Sequence, residues 1–210
     1  MNAALEELCE TAASFHQRGY AHGSTGNLSV RLGGEVWITP TGRSLRRLQP
    51  EDLACIGLDG RARNGAQASK ESPFHLGCYR ARPEARAVVH LHATHTAALS
   101  CLAELDEAEP LPVITPYYLM RVAPLGIVPY CRPGSGELAR AVEEAAARHS
   151  CLLLRNHGLI ALGATLAEAA DRAEELEESA RLFFLLRGER VRTLTAQERA
   201  AVTAAYGTKR

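Results

Sequence analysis

The chain has 210 residues, with 24 Lys and Arg against 24 Asp and Glu, and is 46% hydrophobic and 23% charged. This length suits one domain, 1–210, that buries roughly 70% of its unfolded surface, and the composition is that of a globular protein. Neutral net charge excludes a broad electrostatic footprint for nucleic acid or anionic lipid, and no apolar run approaches the ~20 residues of a membrane span.

Residues 1–10 carry Glu6, Glu7 and Glu10 and lack the basic-then-apolar layout of a signal peptide, so a cytoplasmic location is expected. Leu5, Leu8, Ala12 and Phe15 fall at helical spacing, which predicts an amphipathic helix over 4–18, broken by Gly19 and Gly23. Short strands are predicted at 27–31 and 35–38, joined through Gly33-Gly34, and Pro40, Gly42 and Pro50 leave the next stretch irregular. Ser72-Pro73 starts a helix that ends before Arg82-Pro83. Residues 87–92 read as a strand and 94–103 as a helix; prolines 110, 112, 116, 124, 129 and 133 exclude long regular elements from the middle of the chain.

A further helix follows Gly134-Ser135-Gly136. Strands at 151–154 and 159–162 are paired through Asn156-His157-Gly158. Thr165-Leu166-Ala167-Glu168 is a capping box opening a helix to about residue 187. Helices alternating with short strands give a layered α/β domain, and the tight turns favour antiparallel pairing. The cysteines at 9, 55, 78, 101, 131 and 151 contain no C-x-x-C and read as reduced and mostly buried.

Chemistry concentrates on the histidines. In His90-Leu91-His92, residues two apart on a strand share a face, so both imidazoles point together while Val89 and Leu91 enter the opposite layer. Two convergent imidazoles are half of a typical zinc site, although H-x-H alone is weak evidence. His157 ends an apolar strand in a tight turn and is a third ligand candidate; its competing reading is a solvated turn residue. Three histidines would leave a zinc with an open position, as in catalytic sites. His95, past the strand end, reads as structural or supporting.

Glu71 precedes the helix that leads back to the histidine strand, so its carboxylate is placed to reach the same cavity. A carboxylate there can alternate between ligand and proton acceptor; the alternative is a helix-start glutamate favoured by the macrodipole. Two polar, glycine-bearing loops, Gly23-Ser24-Thr25-Gly26-Asn27 and Thr39-Pro40-Thr41-Gly42-Arg43-Ser44, offer N–H and hydroxyl donors suited to a phosphate, or are ordinary turns. Ser69-Lys70 adds a hydroxyl and a positive charge. No P-loop or dinucleotide fingerprint is present.

Together these motifs resemble the class II aldolase/adducin family from about residue 5 to 190. The markers are G-S-T-G-N-L-S at 23–29, I-T-P-T-G at 38–42, S-K-E at 69–71, V-V-H-L-H at 88–92 and N-H-G-L-I at 156–160. The resemblance implies a three-layer α/β/α domain with a largely antiparallel central sheet. It implies Zn2+ held by His90, His92 and His157, with Glu71 as metal-approaching residue and proton handler. Gly26, Asn27, Thr41, Gly42 and Ser69 would surround the substrate phosphate. It further implies a homotetramer with active sites between subunits, where Tyr118, with Tyr117 second, would reach across.

Lys70 stands where the family's aldolases and epimerases usually carry serine, and Glu71 where its epimerases carry aspartate. With Thr115-Pro116-Tyr117-Tyr118-Leu119-Met120-Arg121, this points to the branch that converts 3-oxo-tetronate 4-phosphate to dihydroxyacetone phosphate and CO2 through a metal-stabilised enediolate. The expected partner is thus a small phosphorylated sugar acid. A second anionic group suits an extra lysine, or Lys70 merely compensates Glu71. The alternatives are a sugar-phosphate aldolase cleaving a fuculose-phosphate-like ketose and a non-catalytic adducin-like scaffold.

Overall fold

A computed structural model describes residues 3–207. A seven-stranded sheet runs in the order β3-β2-β1-β4-β7-β6-β5, from strands β1 (Asn27–Leu32), β2 (Glu35–Ile38), β3 (Ala54–Gly57), β4 (Ala87–Leu91), β5 (Leu125–Val128), β6 (Cys151–Leu154) and β7 (Gly158–Gly163). Neighbours are antiparallel except β5 and β6, which run parallel. The helices are α1 (Ala3–Gln17), α2 (Ser72–Ala81), α3 (Thr94–Ser100), α4 (Pro116–Arg121), α5 (Gly136–Ala146), α6 (Leu166–Leu185) and α7 (Ala196–Tyr206).

Strand periodicity divides the core into two layers. Val89 and Leu91 of β4 pack with Leu8 and Phe15 of α1 and with Ala173 and Leu176 of α6 on one face. Val88 packs with Phe74 and Tyr79 of α2 and Val142 of α5 on the other. The result is the expected α/β/α sandwich with a mostly antiparallel sheet.

The termini of α2 follow from its sequence: Pro73 lies in the first turn, where its missing N–H is no loss, and Arg82-Pro83 ends the helix. Thr165 caps α6 by accepting from the Glu168 N–H, while the Glu168 carboxylate accepts from Ala164 N–H, one residue earlier than a standard box. All six cysteines are free; Cys101 is exposed and the others are buried. Among the described residues, no helix is long and apolar enough to cross a membrane.

The structure adds elements that the sequence pattern does not announce. Strand β3 closes one edge of the sheet against β2, and β5 closes the other against β6. Helix α7 opens with a full capping box of Thr195 and Glu198 and lies against α4.

Candidate active site

Four side chains from three parts of the chain meet at one end of the sheet. His90 is the penultimate residue of β4, paired across the sheet with Asn27 of β1 and Ile160 of β7. His92 follows directly after the strand, on the same side as His90. Glu71 immediately precedes α2. His157 occupies the β6–β7 turn, where Asn156 adopts φ 54°, a left-handed conformation that asparagine tolerates better than most residues.

That turn is held from α3. Asn156 N–H donates to the Ser100 carbonyl at 3.1 Å, and His157 N–H to the buried Ser100 hydroxyl at 3.2 Å. Ser100 thereby fixes the backbone beneath His157.

One ligand atom from each of Glu71, His90, His92 and His157 lies within 4.8 Å of the others. The three rings stand edge to face, with centroids 4.7–4.9 Å apart. His90 Nδ1 is 2.8 Å from the Leu159 carbonyl, which can only accept, so Nδ1 carries the hydrogen and Nε2 presents its lone pair to the cluster. That Nε2 lies 2.9 Å from His92 Nε2 and 3.4 Å from Glu71 Oε2, and His157 Nε2 lies 3.3 Å from Glu71 Oε1. Convergent imidazole nitrogens and a carboxylate fit a divalent transition metal, which would convert crowded lone pairs into ligands.

Burial opposes ionisation of Glu71, but the neighbouring His90 and hydrogen bonds from His157 and Asn27 outweigh it and hold the carboxyl well below the usual carboxylate range. Burial lowers His90 to about 3 and, with His157 beside it, His92 to about 4. Both rings are thus neutral near pH 7, the form that binds metal.

A cavity of about 350 Å³ opens onto the cluster, lined by both glycine-bearing loops, by Ser69-Lys70-Glu71 and by His92 and His157. Gly26 (φ +79°) passes close to β4: a Cβ there would sit 3.1 Å from the His90 carbonyl oxygen. The Thr41 N–H donates to the Gln67 carbonyl at 3.1 Å, tying the second loop to the segment before Ser69. The Ser69 hydroxyl accepts the Glu71 N–H at 3.2 Å, so it fixes Glu71 as well as facing the cavity.

The structure therefore gathers Gly26, Asn27, Thr41, Gly42, Ser69, Lys70, Glu71, His92 and His157 around one cavity, with His90 behind it. It does not bring Tyr118 there. That side chain is only 4% exposed and belongs to the chain's own core, where burial raises its phenol, whereas Tyr117 beside it is 54% exposed. His95 is structural: its ring and N–H both engage Glu177, at 2.8 and 2.9 Å. Ser100, Ser29, His75 and Tyr79, all at or behind the site, have no separate sequence signal; His75 and Tyr79 look like core residues of an amphipathic helix.

The fold is an α/β/α sandwich in which three histidines and a glutamate, able to hold a divalent metal ion, lie beneath a polar cavity. The chain belongs to the class II aldolase and adducin N-terminal domain family, whose signature matches residues 6–184. It is 46% identical to the 3-oxo-tetronate 4-phosphate decarboxylase of Haemophilus influenzae, an alignment covering 93% of this chain and 94% of that protein. It is 36% identical to the L-fuculose phosphate aldolase of Methanococcus vannielii, over 85% of this chain and 94% of the other. The crystal structure of YgbL from Escherichia coli superposes with a TM-score of 0.92 at 45% identity, covering 95% of this chain and 97% of that one. These names are those of lyases, and this chain is an enzyme of that lyase family.

Proposed function

We propose that the protein decarboxylates 3-oxo-tetronate 4-phosphate, a β-keto acid, to dihydroxyacetone phosphate and CO2, with Zn2+ bound by His90, His92 and His157. The observation that carries the reading is a cavity lined by two kinds of anion-binding group, the N–H and hydroxyl groups of the two loops and the Lys70 cation next to Glu71. The 46% identity to a decarboxylase of this name supports it.

A divalent cation at the cluster supplies Lewis acidity for the charge that collects on the keto oxygen as the C1–C2 bond breaks. The remaining work falls to the chain. Gly26, Asn27, Thr41, Gly42 and Ser69 hold the phosphate, and Lys70 holds the carboxylate until it departs. The bond pair moves from C1–C2 into the C2–C3 enediolate, with charge on the C3 oxygen. Glu71 relays one proton from solvent to C2. The net reaction consumes one proton and yields the ketone. We further propose a homotetrameric, cytoplasmic enzyme in which the outward-facing Tyr117, rather than the core residue Tyr118, is the tyrosine offered to a neighbouring subunit.

Retro-aldol cleavage of a fuculose-type phosphate needs the same four metal-site residues and leaves an aldehyde in place of CO2; the 36% identity to an aldolase keeps it as the second reading. A non-catalytic scaffold would not need a complete cluster of three histidines and a glutamate. Purified protein incubated with a 3-oxo-tetronate 4-phosphate should release dihydroxyacetone phosphate and CO2. Cleavage of L-fuculose 1-phosphate with no dihydroxyacetone phosphate formed from the oxo-acid would overturn the proposal.

A further inference from the structure

Behind Glu71 lies a row of buried polar groups, of which the chemistry above uses only Asn27 at its near end. Glu71, His75 and Tyr79 recur at four-residue spacing at the start and along one face of α2, and Asn27 and Ser29 share one face of β1. These two faces meet. Asn27 Nδ2 donates to Glu71 Oε2 at 2.8 Å, and Asn27 Oδ1 lies 2.6 Å from His75 Nε2. His75 Nδ1 lies 2.8 Å from Ser29 Oγ, which lies 2.7 Å from the Tyr79 hydroxyl.

The direction of each bond from Glu71 through Asn27 and His75 to Ser29 is forced from the Glu71 end. An ionised carboxylate only accepts, so the Asn27 amide must turn its NH2 toward Glu71. Its carbonyl then faces His75 and also only accepts, so His75 carries its hydrogen on Nε2. In the neutral ring Nδ1 is left as acceptor, and Ser29 must donate to it; the single Tyr79 hydroxyl hydrogen then faces both Ser29 Oγ at 2.7 Å and the Ser29 carbonyl oxygen at 3.1 Å. His75 is fully buried, and Phe74 stacks on it at 4.9 Å and 15° while meeting His90 edge-on at 5.3 Å. The ring therefore cannot turn without disturbing the cluster.

We propose that His75 is a positioning residue for the reaction: as an Nε2–H tautomer it locks the Asn27 amide, which in turn aims the Glu71 carboxylate. Without that lock the amide is free to flip, presenting its carbonyl to Glu71 and repelling the carboxylate it now steadies. The proposal rests on the reading of Glu71 as the proton-handling ligand, but on neither substrate in particular.

The test has two parts. Imidazole nitrogen NMR of the unaltered, zinc-loaded protein should show His75 with its hydrogen on Nε2. Steady-state kinetics, on whichever of the two phosphate esters the protein turns over, should show kcat reduced about 10- to 100-fold in His75→Leu, with KM within about threefold. His75→Gln, which restores an N–H toward Asn27, should recover most of kcat. An Nδ1–H tautomer, an unchanged kcat in His75→Leu, or equal losses in His75→Leu and His75→Gln would each overturn the proposal. If His75→Leu does not fold, the tautomer and the His75→Gln kcat still decide. Absence of decarboxylation leaves the NMR result and the aldolase kinetics intact, so the two failures are distinguishable.

Discussion

Gly158 follows His157 and begins β7, and its missing side chain is what lets the two metal-bearing segments cross. A Cβ built there would clash with the Leu91 carbonyl oxygen and lie 3.3 Å from the Leu91 carbonyl carbon and 3.4 Å from His92 Cα. These are backbone atoms of β4 and its continuation, so no flexible side chain can yield. To reach ordinary van der Waals separation, Leu91 must retreat by roughly an ångström. Gly158→Ala should therefore cost about 3 kcal/mol, the upper part of the overpacking range. The same movement displaces His92 from His157, and ligand shifts of that size cost on the order of 10- to 100-fold in metal affinity. Urea unfolding with and without metal, and zinc competition against a chromogenic chelator, measure the two effects. Gly136→Ala is the control, because a Cβ there has nothing within 4 Å; it should change stability by less than about 0.5 kcal/mol. A Gly158→Ala protein within about 1 kcal/mol of the unaltered chain, binding zinc as tightly, would refute the steric argument.

Three further outcomes are expected. Lys70→Ser should raise KM for the oxo-acid phosphate roughly 10- to 100-fold, the equivalent of losing one charge-assisted hydrogen bond, while sparing cleavage of a ketose phosphate that lacks a carboxylate; comparing KM for the two substrates checks it. His157→Ala should lower activity by about 10³ and reduce bound metal, and chelation followed by zinc should restore the unaltered enzyme but not the variant. In acid, burial lowers His75 from 6.5 to about 3. The unfolded chain then binds a proton that the folded chain refuses throughout that interval, so stability falls as pH drops from about 6.5 toward 3. Between about pH 6.5 and 5 this one residue contributes about 2 kcal/mol of loss. Urea unfolding of metal-free protein at several pH values should show a shallower slope for His75→Gln than for the unaltered chain.

Much of the site was legible because its residues sit where local rules are strong. The period of two on a strand places His90 and His92 together, Ser72-Pro73 fixes where α2 starts and hence where Glu71 stands, and the Asn156-His157-Gly158 turn marks the third histidine. The boundaries of α2 agree with the expectation at both ends. What escaped depends on partners distant in sequence. Ala54–Gly57 has no alternation to mark it as a strand; β3 exists because β2 offers an unpaired edge and because Asn64 Oδ1 accepts the Cys55 N–H at 3.0 Å. Leu125–Val128 lies among prolines and becomes β5 through parallel pairing with β6. Helix α7 carries a capping box but buries none of its described side chains, so no apolar stripe reveals it. His75 is hidden for a different reason: its spacing from Glu71 and Tyr79 is equally that of a core stripe, and only its contacts with Asn27 and Ser29 of β1 separate the two meanings.

The balanced charge count of the whole chain conceals a steep local gradient, and the gradient argues for the order of events. With His90 and His92 neutral, the buried Glu71 carboxylate puts a negative charge in the metal-free cluster, which would repel any phosphate ester. A divalent cation and the neighbouring Lys70 bring the local sum to about +2, facing a substrate of about −3 when both its carboxylate and its phosphate are ionised. Under the proposed decarboxylation, binding of the anion would depend on metal first, and departure of CO2 would remove one of the charges that Lys70 offsets. A product with only the phosphate is held less firmly than the substrate, so the residue that favours the oxo-acid also favours release of what remains. An aldolase acting on a ketose phosphate meets no such change of charge, which is the physical reason Lys70 separates the two readings.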